Sequence, residues 1–163
     1  MNVIFLDVDG VINLCLERPQ PDGSGEYRWS GLKRDRMANL NRIVNATGAV
    51  VVISSSWKYS KTLEQINRMF REVGFIGQVI DFTPNLSGKR WRVRGYEILA
   101  WLVEHWDTVD GFCLIDDGPW TSGIKALEDR LVRLVSEDGL LDSYVERCVA
   151  ALRLDWEPDR YDH

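Results

Sequence analysis

Three short apolar runs, each closed by a polar or acidic residue, constrain this chain more than any other feature. Val3–Leu6 ends at Asp7, Ala49–Ile53 at Ser54, and Gly111–Ile115 at Asp116. Such runs are too short for helices and have no polar face, so they read as strands buried on both sides. Between them, apolar residues recur at helical spacing. Leu32, Met37, Leu40, Ile43 and Val44 form one stripe, stopped by Gly48. Leu63, Ile66, Met69, Phe70 and Val73 form a second, stopped by Gly74. Ile98, Leu99, Leu102 and Val103 mark a helix from about Gly95 to Trp106, and Leu140 to Leu152 carries a last amphipathic helix. A strand near Gln78–Asp81, a short helix over Ile124–Asp129 and a strand over Leu131–Val135 complete the pattern. Residues 13–30, rich in Pro, Gly, Glu and Ser, read as a flexible loop, and 83–94 as another. Strands alternating with helices predict an α/β fold, three-layered and Rossmann-like, with a mostly parallel five-stranded sheet. The 163 residues contain no internal repeat and no linker, so one domain over 1–163 is expected.

In such sheets ligands bind outside the carboxyl ends of the strands. Those ends read Asp7-Val8-Asp9-Gly10, Ser54-Ser55-Ser56 and Asp116-Asp117-Gly118. Four carboxylates would gather on one rim, where like charges repel unless a cation neutralises them. Mg²⁺ fits such oxygen ligands, and it would also hold a phosphate. The Asp7-x-Asp9 spacing sends both side chains to one side of the strand end. Asp7 could then attack phosphorus while Asp9 reaches the leaving-group oxygen, a recognised form of covalent catalysis. Gly10 allows a sharp turn and leaves room for substrate. Alone, Asp-x-Asp-Gly is a short pattern that a surface turn also satisfies, and Asp116-Asp117 alone reads as a helix cap. The two together, each behind a buried strand, favour the catalytic reading.

LDVDGV, VVISSS and LIDDG resemble motifs I, II and IV of the haloacid dehalogenase (HAD) superfamily of phosphatases. The longer pattern ISSSW, FTPN, RGYEILAWL and LIDDG is similar to the HAD domain of multifunctional, Swiss-army-knife RNA-repair proteins. The resemblance covers nearly the whole chain, in order. It implies a Mg²⁺-dependent phosphohydrolase in which Asp7 is the nucleophile and Asp9 the general acid, later the base. It also implies that the Asp7 carboxylate, the Asp9 backbone carbonyl and Asp116 bind Mg²⁺, with Asp117 acting through water. Ser54 matches the hydroxyl that holds the phosphoryl group, or Ser55 if the strand ends one residue later. Gly10 lies against the same phosphate. The positive charge of motif III falls to Arg94, with Lys89 and Arg90 as rivals; Lys89 would in any case bind phosphate. Val11 stands where many of these phosphatases have Thr. Neither interval that holds a cap domain in relatives has room for one, so a capless enzyme with an open site is expected.

The substrate expected is a phosphorylated RNA or DNA end, or a nucleotide. Lys89 to Arg94 interleaves basic residues with Trp91, which suits phosphate contacts and base stacking. The opposing reading is a solvated loop with Trp91 in the core, and the net charge of -5 favours that reading. Trp57 and Trp120 follow motifs II and IV; either could line a substrate platform, although packing is the commoner fate of Trp. Only two histidines are present, which excludes a His-based zinc site. Three dispersed cysteines without CxxC, and no apolar run long enough for a membrane span, point to a cytoplasmic protein without a signal peptide. A receiver-like phosphoryl acceptor would carry its acidic pair early and its acceptor later, the reverse of the order here. A dehalogenase would lack Asp9. A phosphotransferase, or a HAD-like binding protein without activity, remains as the alternative.

Overall fold

A computed structural model describes residues 1–86, 94–118 and 125–156. Five strands form one sheet: β1 (Asn2–Leu6), β4 (Val50–Ile53), β5 (Val79–Phe82), β6 (Gly111–Asp116) and β7 (Leu131–Arg133). Their order is β5-β4-β1-β6-β7, and every pairing is parallel. Alternate residues of β1 feed two cores. Ile4 and Leu6 pack with Met37, Ile43, Ile66, Phe70 and Cys148, from helices α1 (Arg34–Thr47), α2 (Leu63–Glu72) and α5 (Val145–Leu152). Val3 and Phe5 pack with Ile98, Trp101 and Leu102 of α3 (Arg94–Glu104), and with Leu127 of α4 (Lys125–Glu128). Phe5 meets the Trp101 ring edge-on, with centroids 5.4 Å apart. Helices on both faces of a parallel sheet give the three-layered, Rossmann-like fold predicted above.

The register aligns the strand ends. Leu6 pairs with Ile53 on one side and with Ile115 on the other. The next peptide continues the ladder: Asp7 N donates to Ile115 O at 3.0 Å, and Ser54 N to Leu6 O at 2.9 Å. Ser54, Asp7 and Asp116 therefore stand side by side on one rim. The chain runs outward from β1 through β4 to β5, then returns to the other side of β1 as β6. That reversal makes the carboxyl ends of β1 and β6 the switch point at which such sheets bind ligands.

The structure differs from the sequence reading between residues 13 and 30. A flexible loop was expected there, but β2 (Asn13–Glu17) and β3 (Arg28–Leu32) form an antiparallel hairpin. Its root is anchored: Cys15 and Leu14 are buried, Cys15 N donates to Ser136 O at 3.1 Å, and Leu14 N to Ser30 Oγ at 2.9 Å. Both prolines, and most of the Gly and Ser, occupy the turn between the two strands. Leu32 closes β3 instead of opening a helix, and α1 begins at Arg34. Gly48 does end α1, with φ +65° and its N–H on Val44 O. The last helix is shorter than its apolar stripe, because Asp142–Tyr144 forms a 3-10 turn ahead of α5. Among the described residues, no helix is long and apolar enough to cross a membrane.

Candidate active site

Beyond β1 the chain folds into a tight turn around one carbonyl. Val8 O accepts from Val11 N at 3.2 Å and from Ile12 N and Asn13 N at 3.0 Å each. Gly10 takes φ +82° in this turn. A Cβ there would lie 2.6 Å from the Asp117 carboxyl carbon. Glycine is thus required twice, by its backbone and by the closeness of the acidic pair after β6.

Asp7 directly follows the central strand, buried, with Oδ1 accepting from Val8 N at 3.0 Å. Carboxylate oxygens of Asp7, Asp116 and Asp117 all lie within 4.8 Å of one another. Arg94, the first residue of α3, stands over two of them: Nη1 is 2.6 Å from Asp116 Oδ2 and 3.2 Å from Asp7 Oδ2. Asp116 Oδ1 accepts from Gly118 N at 2.8 Å, which fixes the carboxylate plane.

Burial, reinforced by the Asp116 charge, pushes the Asp7 carboxyl well above the ordinary range, with Arg94 pulling the other way. Burial likewise lifts Asp116 to about 6 against the pull of Arg94, and raises Asp117. For Arg94, burial opposes the charge, but Asp7 and Asp116 more than offset it and hold the guanidinium above its ordinary value. Among the described residues, Arg94 is the cation in contact with this group of three carboxylates. A hard divalent ion fits that donor set. Asp9 is not a member of the group.

The Asp9 side chain turns instead toward two neutral donors. Asn13 Nδ2 donates to Oδ1 at 2.6 Å, and Trp57 Nε1 to the same oxygen at 3.0 Å. Ser54 is buried and its hydroxyl has no hydrogen-bond partner among the described residues. A buried hydroxyl without a partner carries a desolvation penalty that a phosphoryl oxygen would relieve. Ser55 is engaged elsewhere: its Oγ accepts from Trp57 N at 3.3 Å and caps the 3-10 turn Ser56–Tyr59. Lys89 and Arg90, the rivals of Arg94, and Trp91 and Trp120 lie outside the described residues.

Several contributors escaped the sequence reading. In sequence Trp57 reads as packing or platform; its ring does touch the core, and its N–H serves Asp9. Asn13 falls in a segment that reads as a loop in sequence. Lys58 and Glu97 carry no signal of burial in the sequence, yet they form a buried ion pair at 2.7 Å, and Lys58 also donates to Thr83 Oγ1 at 3.2 Å and Pro84 O at 3.2 Å. The adjacency of Trp57 and Lys58 to the Ser54 strand end was the available signal.

No curated protein and no solved structure matches the chain significantly. A family model does match, over residues 3–145, and it spans the strand ends carrying Asp7, Ser54 and Asp116. The family implies phosphohydrolase-type chemistry. With its parallel sheet and its acidic rim, the chain belongs to the HAD domain family of Swiss Army Knife RNA repair proteins.

Proposed function

We propose that this protein is a Mg²⁺-dependent phosphomonoesterase that works through an aspartyl-phosphate on Asp7. The observation carrying this reading is the convergence of Asp7, Asp116 and Asp117 within 4.8 Å beneath Arg94, beside a Ser54 hydroxyl that has no partner among the described residues. Asp7, Asp116, Asp117 and the Asp9 backbone carbonyl would hold Mg²⁺. The ion supplies charge neutralisation for the nucleophile and the phosphoryl oxygens. Asp7 attacks phosphorus, and Asp9 gives a proton to the departing oxygen. Arg94 and Ser54 hold phosphoryl oxygens and stabilise the charge that develops on them. Gly10 lets the Asp117 carboxyl close against the turn that carries Asp9. Asp9, now a carboxylate, takes a proton from the water that releases phosphate.

We assign the substrate to phosphorylated RNA or DNA ends, or nucleotides. The family description supports this, and so does the basic, Trp-containing stretch Lys89 to Arg94. The rim also supports it, because only the β2–β3 hairpin stands between β1 and α1. The test is phosphate release from an aryl phosphate, mononucleotides, sugar phosphates, and oligonucleotides with 3′- or 5′-phosphates, with Asp7→Asn as control. Release that needs both Mg²⁺ and Asp7, fastest on oligonucleotides or nucleotides, is expected. Equal or faster release from sugar phosphates removes the nucleic-acid assignment. No release from any substrate by folded, Mg²⁺-loaded protein removes the phosphatase and favours a phosphotransferase or a binding protein.

A further inference from the structure

The Asp9 carboxyl is gripped at one oxygen only. Oδ1 accepts from Asn13 Nδ2 at 2.6 Å and Trp57 Nε1 at 3.0 Å, while Oδ2 makes no hydrogen bond among the described residues. A carboxylate oxygen offers about two lone-pair sites, so Oδ1 is fully used. Both of its partners donate only; an indole or amide nitrogen cannot accept a proton in return. A proton on Oδ1 would therefore displace at least one of these bonds, whereas a proton on Oδ2 leaves both intact. We propose that Trp57 and Asn13 are positioning residues that commit the transferable proton of Asp9 to Oδ2 and aim that oxygen at the leaving group. The inference rests on reading the chain as a phosphohydrolase acting through Asp7.

Both donors are themselves held. Trp57 sits in the 3-10 turn Ser56–Tyr59, capped by Ser55, with its ring partly buried against the core. Lys61 Nζ lies 4.3 Å from the centroid of that ring. A cation over the ring face draws electron density from the indole and makes its N–H a stronger donor. Asn13 is fixed through its backbone N–H on Val8 O at 3.0 Å. Its Oδ1 is buried without a partner among the described residues. The amide thus faces Asp9 with its NH₂ while its own carbonyl stays unmet, so the contact with Asp9 sets its orientation.

An Asp7 oxygen forms a bond to phosphorus as the bond from phosphorus to the ester oxygen breaks. The ester oxygen takes the proton from Asp9 Oδ2 and departs as an alcohol. Asp9 remains as a carboxylate. Water then attacks phosphorus, its proton passes to Oδ2, the Asp7–phosphorus bond breaks, and phosphate leaves.

A poor leaving group needs that proton and a good one does not, so the assay compares two esters in one preparation. Values of kcat/KM, which cover the steps through leaving-group departure, are measured for an alkyl phosphate and for an activated aryl phosphate. Trp57→Phe keeps the ring and removes the N–H. It is expected to lower the alkyl value about 10–100-fold, part of the 10²–10⁴ a general acid contributes, with at least a ten-fold smaller loss on the aryl ester. Asn13→Ala should show the same split. The ratio of the two values does not depend on the folded fraction, so a poorly folding variant still reports. Equal losses on both esters, or no loss on either, would overturn the inference. Absence of turnover by the wild type, or activity that survives Asp7→Asn, overturns the phosphohydrolase reading itself, and the inference with it.

Discussion

Replacing Asp116 with Asn should stabilise the metal-free protein at neutral pH and abolish its response to Mg²⁺. Asp116 is raised from an ordinary 3.8 to about 6, chiefly by burial, with Arg94 opposing the rise. A carboxyl raised in the folded state favours folding while both states are protonated, below about 3.8, and that contribution is lost as pH rises through about 6. At roughly 1.4 kcal/mol per pH unit, the interval corresponds to about 3 kcal/mol. In a chain of this size each kcal/mol moves Tm by roughly 2–4 °C, so the loss corresponds to about 6–12 °C. Asn is nearly isosteric and never ionises. Asp116→Asn therefore recovers part of that interval at pH 7.5, the full value being an upper limit because Arg94 gives up one of its two carboxylates. The assay is thermal unfolding in EDTA at pH 5 and pH 7.5, repeated with Mg²⁺. Wild type should lose Tm between the two pH values and regain it with Mg²⁺, more at pH 7.5, because protons compete with the ion. The variant should show a flatter pH profile and little Mg²⁺ shift. A variant less stable than wild type at pH 7.5 in EDTA, or one that keeps the wild-type Mg²⁺ shift, would refute the reasoning.

Arg94→Met should lower kcat about 10²–10³-fold, the usual cost of losing one donor to a developing oxyanion, and steady-state kinetics on the best substrate checks it. Gly10→Ala places a methyl group against Asp117 at φ +82°, so Mg²⁺ affinity by calorimetry should fall and stability drop by about 1–2 kcal/mol. Lys58→Met leaves Glu97 buried and unpaired, with side-chain exposures of 7% and 6% in the native pair, and should cost about 3–5 kcal/mol in urea unfolding. Adding Glu97→Leu to Lys58→Met should recover most of that loss; a double variant as unstable as the single one would show that the pair's charges are not the cause.

The rim was legible because its residues terminate buried strands, and strand ends can be read from where an apolar run stops. Asp7, Ser54 and Asp116 each follow such a run, and parallel register then brings them side by side. Arg94 was legible only through the family resemblance; in the structure it opens α3 instead of preceding it. The β2–β3 hairpin was hidden because Pro, Gly and Ser in its turn dominate the composition of the whole segment. Its strands are also short, and irregular pairing blurs their alternation. Lys58 and Glu97 look like solvated charges in sequence, since only the tertiary fold decides that both are buried. Trp57 was ambiguous for a related reason. An indole satisfies packing and hydrogen bonding at once, and its acceptor lies 48 residues away in the chain.

The 3-10 turn after β4 links two parts of the candidate site. Trp57 donates to Asp9 on the motif I turn, and the next residue, Lys58, pairs with Glu97 in the first turn of α3. Glu97 lies three residues after Arg94, on adjoining positions of the same helical face. The turn thus holds Asp9 with one side chain, and with the next it anchors the helix end that carries Arg94. A buried ion pair is weak evidence of stability, because desolvation consumes most of its Coulombic gain, and orientation is the better account of why a charge is spent there. On that account, displacing the turn would move Asp9 and Arg94 together, and under the proposed mechanism a single change remote from phosphorus would impair both leaving-group protonation and phosphoryl binding.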